Sequence, residues 1–197
     1  STETALRLMD EETVCVVLDT HKASFVEAPD IIKESDKVVL IDHHRRSEEY
    51  IENTILDYIE PYASSTCELV TELIEYIGDN LKLTKFEAEA LLSGIIVDTN
   101  SFTYKTGVRT FEAASLLRRR GADTVDVKKL FSENMQTMKR KSEIIERAEV
   151  KFKDVAISYV NETYDNGMVI AAQCADDLLT VKGIKASFVL VKLEDHV

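Results

Sequence analysis

The chain has 197 residues, 45% of them hydrophobic, which is enough to bury a real core and excludes a disordered polypeptide. Its 24 Lys and Arg stand against 36 Asp and Glu, a formal net charge of −12, which argues against holding long nucleic acid on a broad basic surface. A small phosphodiester stays compatible with that charge, because bound divalent cations invert the local sign of the field.

Residues 1–9, with Ala5, Leu6 and Met9 apolar, read as the tail of a helix. Residues 13–18 form an apolar, β-branched run that ends in Asp19, followed by Thr20 and His21. Residues 29–35 are short and open with Pro29, a residue suited to the first helical turn. Val38 to Ile41 repeat the first run and stop at Asp42, His43, His44, Arg45 and Arg46. A run this short closed by polar groups fits a strand buried on both faces. Residues 13–42 therefore predict a β-α-β unit whose right-handed crossover lays the strands parallel, with Asp19 and Asp42 at one edge. That carboxyl edge is where open α/β sheets bind ligands.

A charged connector follows, with a short edge strand at 54–59 closed by Pro61. Ser65 and Glu68 have capping-box spacing, and Val70, Leu73, Ile74 and Ile77 continue at helical intervals to Gly78. Thr84 and Glu87 form a second box, ahead of the stripe Ala88, Leu91, Leu92, Ile95 and Ile96, so Asp98 falls at that helix's C-terminal end. A third helix runs from Arg109 and Thr110 to Gly121, and its free N-terminal amides with Arg109 could attract phosphate. Residues 126–131 and 136–150 read as two further helices, the second carrying Lys139, Arg140 and Lys141 as a solvated face and Ile144, Ile145 and Ala148 inward. Beyond a composition shift at about 145–152, residues 155–160, 168–172 and 186–191 are strand-like and 175–182 helical, a second mixed α/β unit.

Cysteines 15, 67 and 174 are widely spaced, without disulfide or zinc-site spacing, and read as reduced, buried thiols of a cytosolic domain. No run approaches the roughly 18 to 20 apolar residues of a membrane span, and no signal peptide is visible, so this stretch is expected to be soluble by itself.

Adjacent imidazoles behind an aspartate offer a metal ligand, a group to touch substrate and a carboxylate to orient a ring. A capping Asp with two solvated loop histidines is the plain alternative for those residues alone. Three apolar runs each ending in an acid, Asp19, Asp42 and Asp98, are more restrictive than any one of them. His21 reads as a solvated neighbour of such a site.

The segments Val17-Leu-Asp19-Thr-His21, Ile41-Asp42-His43-His44 and Ile96-Val-Asp98-Thr-Asn-Ser-Phe102 resemble three motifs of the DHH phosphoesterases, a family that includes RecJ-type exonucleases, oligoribonucleases and family II pyrophosphatases. Residues 42–46, 60–70 and 106–114 are most similar to its membrane-anchored cyclic-di-AMP phosphodiesterase branch. The resemblance implies an α/β fold: a parallel-sheet DHH domain with flanking helices at 1–148, then the start of a smaller mixed α/β DHHA1 domain at 149–197. It implies two divalent metal ions, Mn²⁺ foremost, with Asp19 bridging, His43 and Asp98 completing one of them, His44 facing the phosphate and Asp42 orienting. Arg109, Thr110 and Ser101 would bind substrate. A hydroxide made available by the metals would open cyclic di-AMP to linear pApA.

The resemblance also implies a homodimer, acting on a cyclic or short linear dinucleotide at the cytoplasmic face of the membrane, with the membrane reached only through segments absent here. The upstream His-x-x-x-Asp-x-Asp motif and a later Gly-Gly-Gly-His segment of the family do not occur in the chain. The chain is therefore expected to be part of a larger enzyme, binding metal weakly and turning over little by itself. A linear-oligonucleotide or pApA hydrolase, and a nucleotide-sensing module without turnover, are the rival readings; a pyrophosphatase fits less well.

Overall fold

The computed structural model describes residues 1–78, 81–163 and 166–192, in two compact units, Ser1–Phe131 and Ser132–Val197. The first holds a parallel three-stranded sheet in the order β1 (Cys15–Leu18), β2 (Val38–Asp42), β3 (Thr54–Ile59). Leu18 pairs with Ile41 and Asp42 with Ile59, so β1 and β2 present their polar successors at the same edge, as expected. Helix α2 (Pro29–Glu34), with proline in its first turn, makes the crossover. Central β2 is sealed on both faces: Val38, Leu40 and Ile51 cluster with Val17 on one, while Ile41 meets Ala63 and Leu69 on the other.

Among the described residues four helices follow, α3 (Thr66–Ile77), α4 (Lys85–Asp98), α5 (Val108–Arg119) and α6 (Thr124–Leu130), after a leading α1 (Thr2–Leu8). Both capping expectations have a physical counterpart. The Ser65 hydroxyl accepts the Glu68 amide, although the Glu68 carboxylate turns to the Ser64 hydroxyl instead of completing the box. Thr84 and Glu87 cap each other reciprocally. The α4 stripe packs Ala88, Leu92 and Ile95 against Ala113 and Leu117 of α5 and Val127 of α6, which fixes where α4 ends. Helices α3 and α4 approach so closely that a Cβ at Gly94 would lie 2.3 Å from Cys67 Sγ.

In the second unit, α7 (Met135–Glu146) precedes a sheet ordered β4 (Glu149–Lys151), β5 (Val155–Thr163), β6 (Ala186–Lys192), with α8 (Gly167–Leu179) as the crossover between parallel β5 and β6. Helix α7 lies in the unit that begins at Ser132, while the composition shift in the sequence falls at about 145–152. Three expectations change here. Helix α7 ends at Glu146, not 150, because Glu149–Lys151 pair antiparallel with β5. Residues 168–172, read as a strand, are the first turns of α8: Ile170, Ala171, Cys174 and Leu178 share its buried face, and the i, i+4, i+8 spacing of 170, 174 and 178 wins over the local β-branched flavour. Lys141 is not on a solvated face, since its ammonium lies 3.0 Å from Glu133 and 3.3 Å from Asp177 with 17% of the side chain exposed.

Of the cysteines, all free, Cys174 is buried and Cys15 and Cys67 are half-buried. Burial pushes the Cys67 thiol up to about 11, with help from the charges of Asp98 and Asp19, so it stays protonated. No helix among the described residues is long and apolar enough to cross a membrane.

Candidate metal centre

Each acid of the site is delivered by the end of a regular element. Asp19 closes β1 in the left-handed region, φ 66°, while its amide still donates to Ile41 O at 3.0 Å. Aspartate tolerates that conformation better than a branched residue would. His43 leaves β2 one residue past its end and is 6% exposed. Asp98 is the last residue of α4, carried there by the packing of the helix stripe.

The three converge. His43 Nε2 lies 3.5 Å from Asp19 Oδ1 and 3.6 Å from Asp98 Oδ2. These separations are long for hydrogen bonds, yet close to the spacing of about 3 Å that donors adopt around a shared cation with bonds of about 2.1 Å. His44 adds a further donor, within 4.8 Å of Asp19 and His43, and its ring centroid is 4.4 Å from that of His43. Two carboxylates and imidazole nitrogen form a hard to intermediate donor set, suited to Mn²⁺ or Mg²⁺ over thiolate-seeking ions. Burial raises the Asp98 carboxyl above its ordinary value; His43 counters that and the charge of Asp19 adds to it. A cation between the two acids would relieve the strain of both kinds. His43 Nδ1, sealed from solvent, has no hydrogen-bond partner among the described residues, so within them the ring lacks the outer contact that orients most ligating histidines.

Asp42 does not point into this cluster. It is fully buried, with Oδ2 2.6 Å from His21 Nδ1 and Oδ1 accepting from His44 Nδ1 at 2.7 Å and from the His44 amide at 3.1 Å. Burial would raise its carboxyl, but the hydrogen bonds of His21 and His44 outweigh it and hold it below the ordinary range. His21 is thus not a solvated neighbour: it is 2% exposed and bonded at both ring nitrogens, to Asp42 and to Ser47 at 2.9 Å. Thr66, which no local pattern in the sequence singles out, also belongs to the site: its hydroxyl donates to Asp19 Oδ1 at 2.7 Å.

The expected substrate contacts fare differently. The Arg109 guanidinium forms a fork on Glu72, Nε to Oε1 at 2.8 Å and Nη2 to Oε2 at 2.7 Å, with Glu60 4.0 Å away. Its donors are engaged by carboxylates instead of standing free at the start of α5. Thr110 is 1% exposed and its hydroxyl accepts the Gly107 amide, so it closes the first turn of α5. Ser101 is exposed, in a run of three left-handed residues, Asn100, Ser101 and Phe102, pinned by the Thr99 hydroxyl accepting the Phe102 amide. Such strain persists where surrounding structure imposes it, here directly behind Asp98.

The DHH family, N-terminal domain, matches residues 1–95. The chain is 51% identical over 193 residues to the cyclic-di-AMP phosphodiesterase GdpP of Geobacillus thermodenitrificans, covering 98% of this chain and 29% of that protein. It is 47% identical to the cyclic-di-AMP phosphodiesterase PdeA of Listeria monocytogenes, with the same coverage. Among solved structures, an exopolyphosphatase-related protein from Bacteroides fragilis superposes with a TM-score of 0.86 at 23% identity, over 98% of this chain and 59% of that one, a likeness of fold. The chain thus spans under a third of the length of these curated relatives.

Proposed function

The chain belongs to the DHH family, and on that premise we propose that it contributes the metal-binding half of a cyclic-di-AMP phosphodiesterase that opens one phosphodiester to give linear pApA. The observation that carries the reading is the convergence of Asp19, His43 and Asp98 from three separate elements. Asp19, His43 and Asp98 would hold the cations, with Thr66 fixing the rotamer of Asp19. Bound divalent cations, Mn²⁺ foremost and two in number, supply positive charge against the phosphoryl oxygens and ease deprotonation of water near neutral pH.

The residues of the chain do the rest. His44, half-exposed and tethered through Nδ1 to Asp42, offers its other edge to a phosphate oxygen. Buried Asp42 keeps that ring from turning away. Arg109 would reach a second phosphate only by leaving Glu72, so we assign it to discrimination among substrates and not to the reacting centre.

Two ions of this kind take about six ligands each. The described residues gather Asp19, His43 and Asp98, with His44 left to the phosphate, so metal binding by this chain alone is proposed to be weak and its turnover low. The test is hydrolysis of cyclic di-AMP against pApA by the whole protein with added Mn²⁺, resolved by chromatography. Formation of pApA that depends on Asp19 and Asp98 supports the reading; a preference for linear substrate, or hydrolysis indifferent to both acids, removes it.

A further inference from the structure

Asp42 is held by two imidazoles at once, and one of them comes from the other strand end. His21 lies two residues beyond Asp19, so the turn that delivers a cluster acid also delivers this ring. Its Nδ1 is 2.6 Å from Asp42 Oδ2, its Nε2 accepts the Ser47 amide at 3.1 Å, and its carbonyl accepts the Ile51 amide at 2.9 Å. Side-chain exposure is 3% for His21 and 0% for Asp42. The ring is therefore fixed at both nitrogens and at its backbone.

The consequence passes to His44. A carboxylate is acceptor-only, so each oxygen of Asp42 requires an N–H from the imidazole facing it. His44 meets Oδ1 through both Nδ1 and its own amide, and His21 occupies Oδ2. With the second oxygen engaged, the carboxylate cannot rotate about its Cβ–Cγ bond to offer His44 a different face. We infer that His21 is a positioning residue: acting through Asp42, it fixes His44 in the tautomer with its proton on Nδ1 and Nε2 directed away from Asp42. This deepens the reading above and depends on it only for what His44 faces.

The test needs neither metal nor substrate. Long-range proton–nitrogen correlation spectra of the metal-free, nitrogen-15-labelled chain at mildly alkaline pH report which nitrogen of each imidazole carries the proton. In the wild type, His44 and His21 both show the Nδ1–H pattern. His21→Ala loses that pattern at His44 and gives an averaged spectrum, whereas His21→Asn, whose side-chain amide can donate to Oδ2, restores it. A folded His21→Ala chain with the His44 tautomer unchanged overturns the inference. If His21→Ala does not fold, His21→Asn decides: a His44 that keeps its proton on Nδ1 supports the inference and one that loses it overturns it, and a wild-type His44 protonated on Nε2 overturns it with no variant at all. A failure here leaves hydrolysis untouched, and a failure of hydrolysis leaves these spectra as expected.

Discussion

The Thr66 hydroxyl donates a 2.7 Å hydrogen bond to Asp19 Oδ1, joining the first turn of α3 to the residue that closes β1. The bond fixes one of two carboxylate oxygens on a side chain that is otherwise 57% exposed. Outer contacts of this kind typically govern ligand affinity by about 10- to 100-fold. Thr66→Val, which keeps the shape and deletes the donor, is expected to weaken Mn²⁺ binding within that range in a calorimetric titration, with Thr66→Ser close to wild type. Equal affinity in Thr66→Val would remove Thr66 from the site.

The approach of α3 to α4 gives a second expectation. A Cβ at Gly94 would meet Cys67 Sγ at 2.3 Å and Cys67 Cβ at 3.2 Å. Only the sulfur can swing aside, and it does so by one torsion. Gly94→Ala should therefore destabilise the first unit by about 1–3 kcal/mol, the usual cost of overpacking, seen as a lower midpoint in thermal or urea unfolding. Adding Cys67→Ala should recover part of the loss, since the Cβ contact stays.

How much of this was legible in the chain depends on distance along it. The strand ends at Asp19 and Asp42 could be read because a β-branched run closed by an acid is a local pattern, and the end of α4 because Thr84, Glu87 and the stripe to Ile96 set its phase. Thr66 and Asp19 are 47 residues apart, and nothing local to either tells of the other. His21 was misread for the same reason: its partners Asp42 and Ser47 lie 21 and 26 positions away, so a loop residue by pattern is a buried one by packing. In α8 the error was local, since Met168 to Ala172 carry β-branched residues, and the helical phase emerges only when Cys174 and Leu178 are counted.

The pH dependence of stability has a defined contributor outside the site. Side-chain hydrogen bonds from Lys129 and Lys85, reinforced by their charges, bring the Asp126 carboxyl down to about 2. The unfolded chain titrates near the ordinary value of about 3.9. Its stabilisation is therefore fully present above about pH 4 and is lost as pH falls toward 2. Asp126→Asn should lower the thermal midpoint at neutral pH slightly and flatten its decline over that acid window. An identical acid profile for the two proteins would show that the pair with Lys85 and Lys129 contributes nothing measurable.

Removing the buried carboxylate should be far more damaging than removing an exposed one. Asp42→Ala leaves His21 Nδ1, the His44 amide and His44 Nδ1 without their acceptor. A loss of about 3–5 kcal/mol in urea unfolding is expected, since each buried donor left unpaired costs about 1–3 kcal/mol. Asp42→Asn should lose less, because its amide oxygen still accepts on one side.

If Asp19, His43 and Asp98 share cations, they compete for them with an acidic rival in the same unit: the groove of 840 Å³ where Asp10, Glu11, Asp30, Glu34 and Asp36 outnumber Lys33 and Lys37. Substoichiometric Mn²⁺ broadens the amide resonances nearest to where it binds, so nuclear magnetic resonance of the labelled chain separates the two directly. Signals around residues 19, 42–44 and 98–99 are expected to be lost first, and Asp19→Ala or Asp98→Ala to abolish this selectivity. Broadening that begins in the acidic groove, or that spreads evenly and ignores both substitutions, would contradict cation sharing by Asp19, His43 and Asp98.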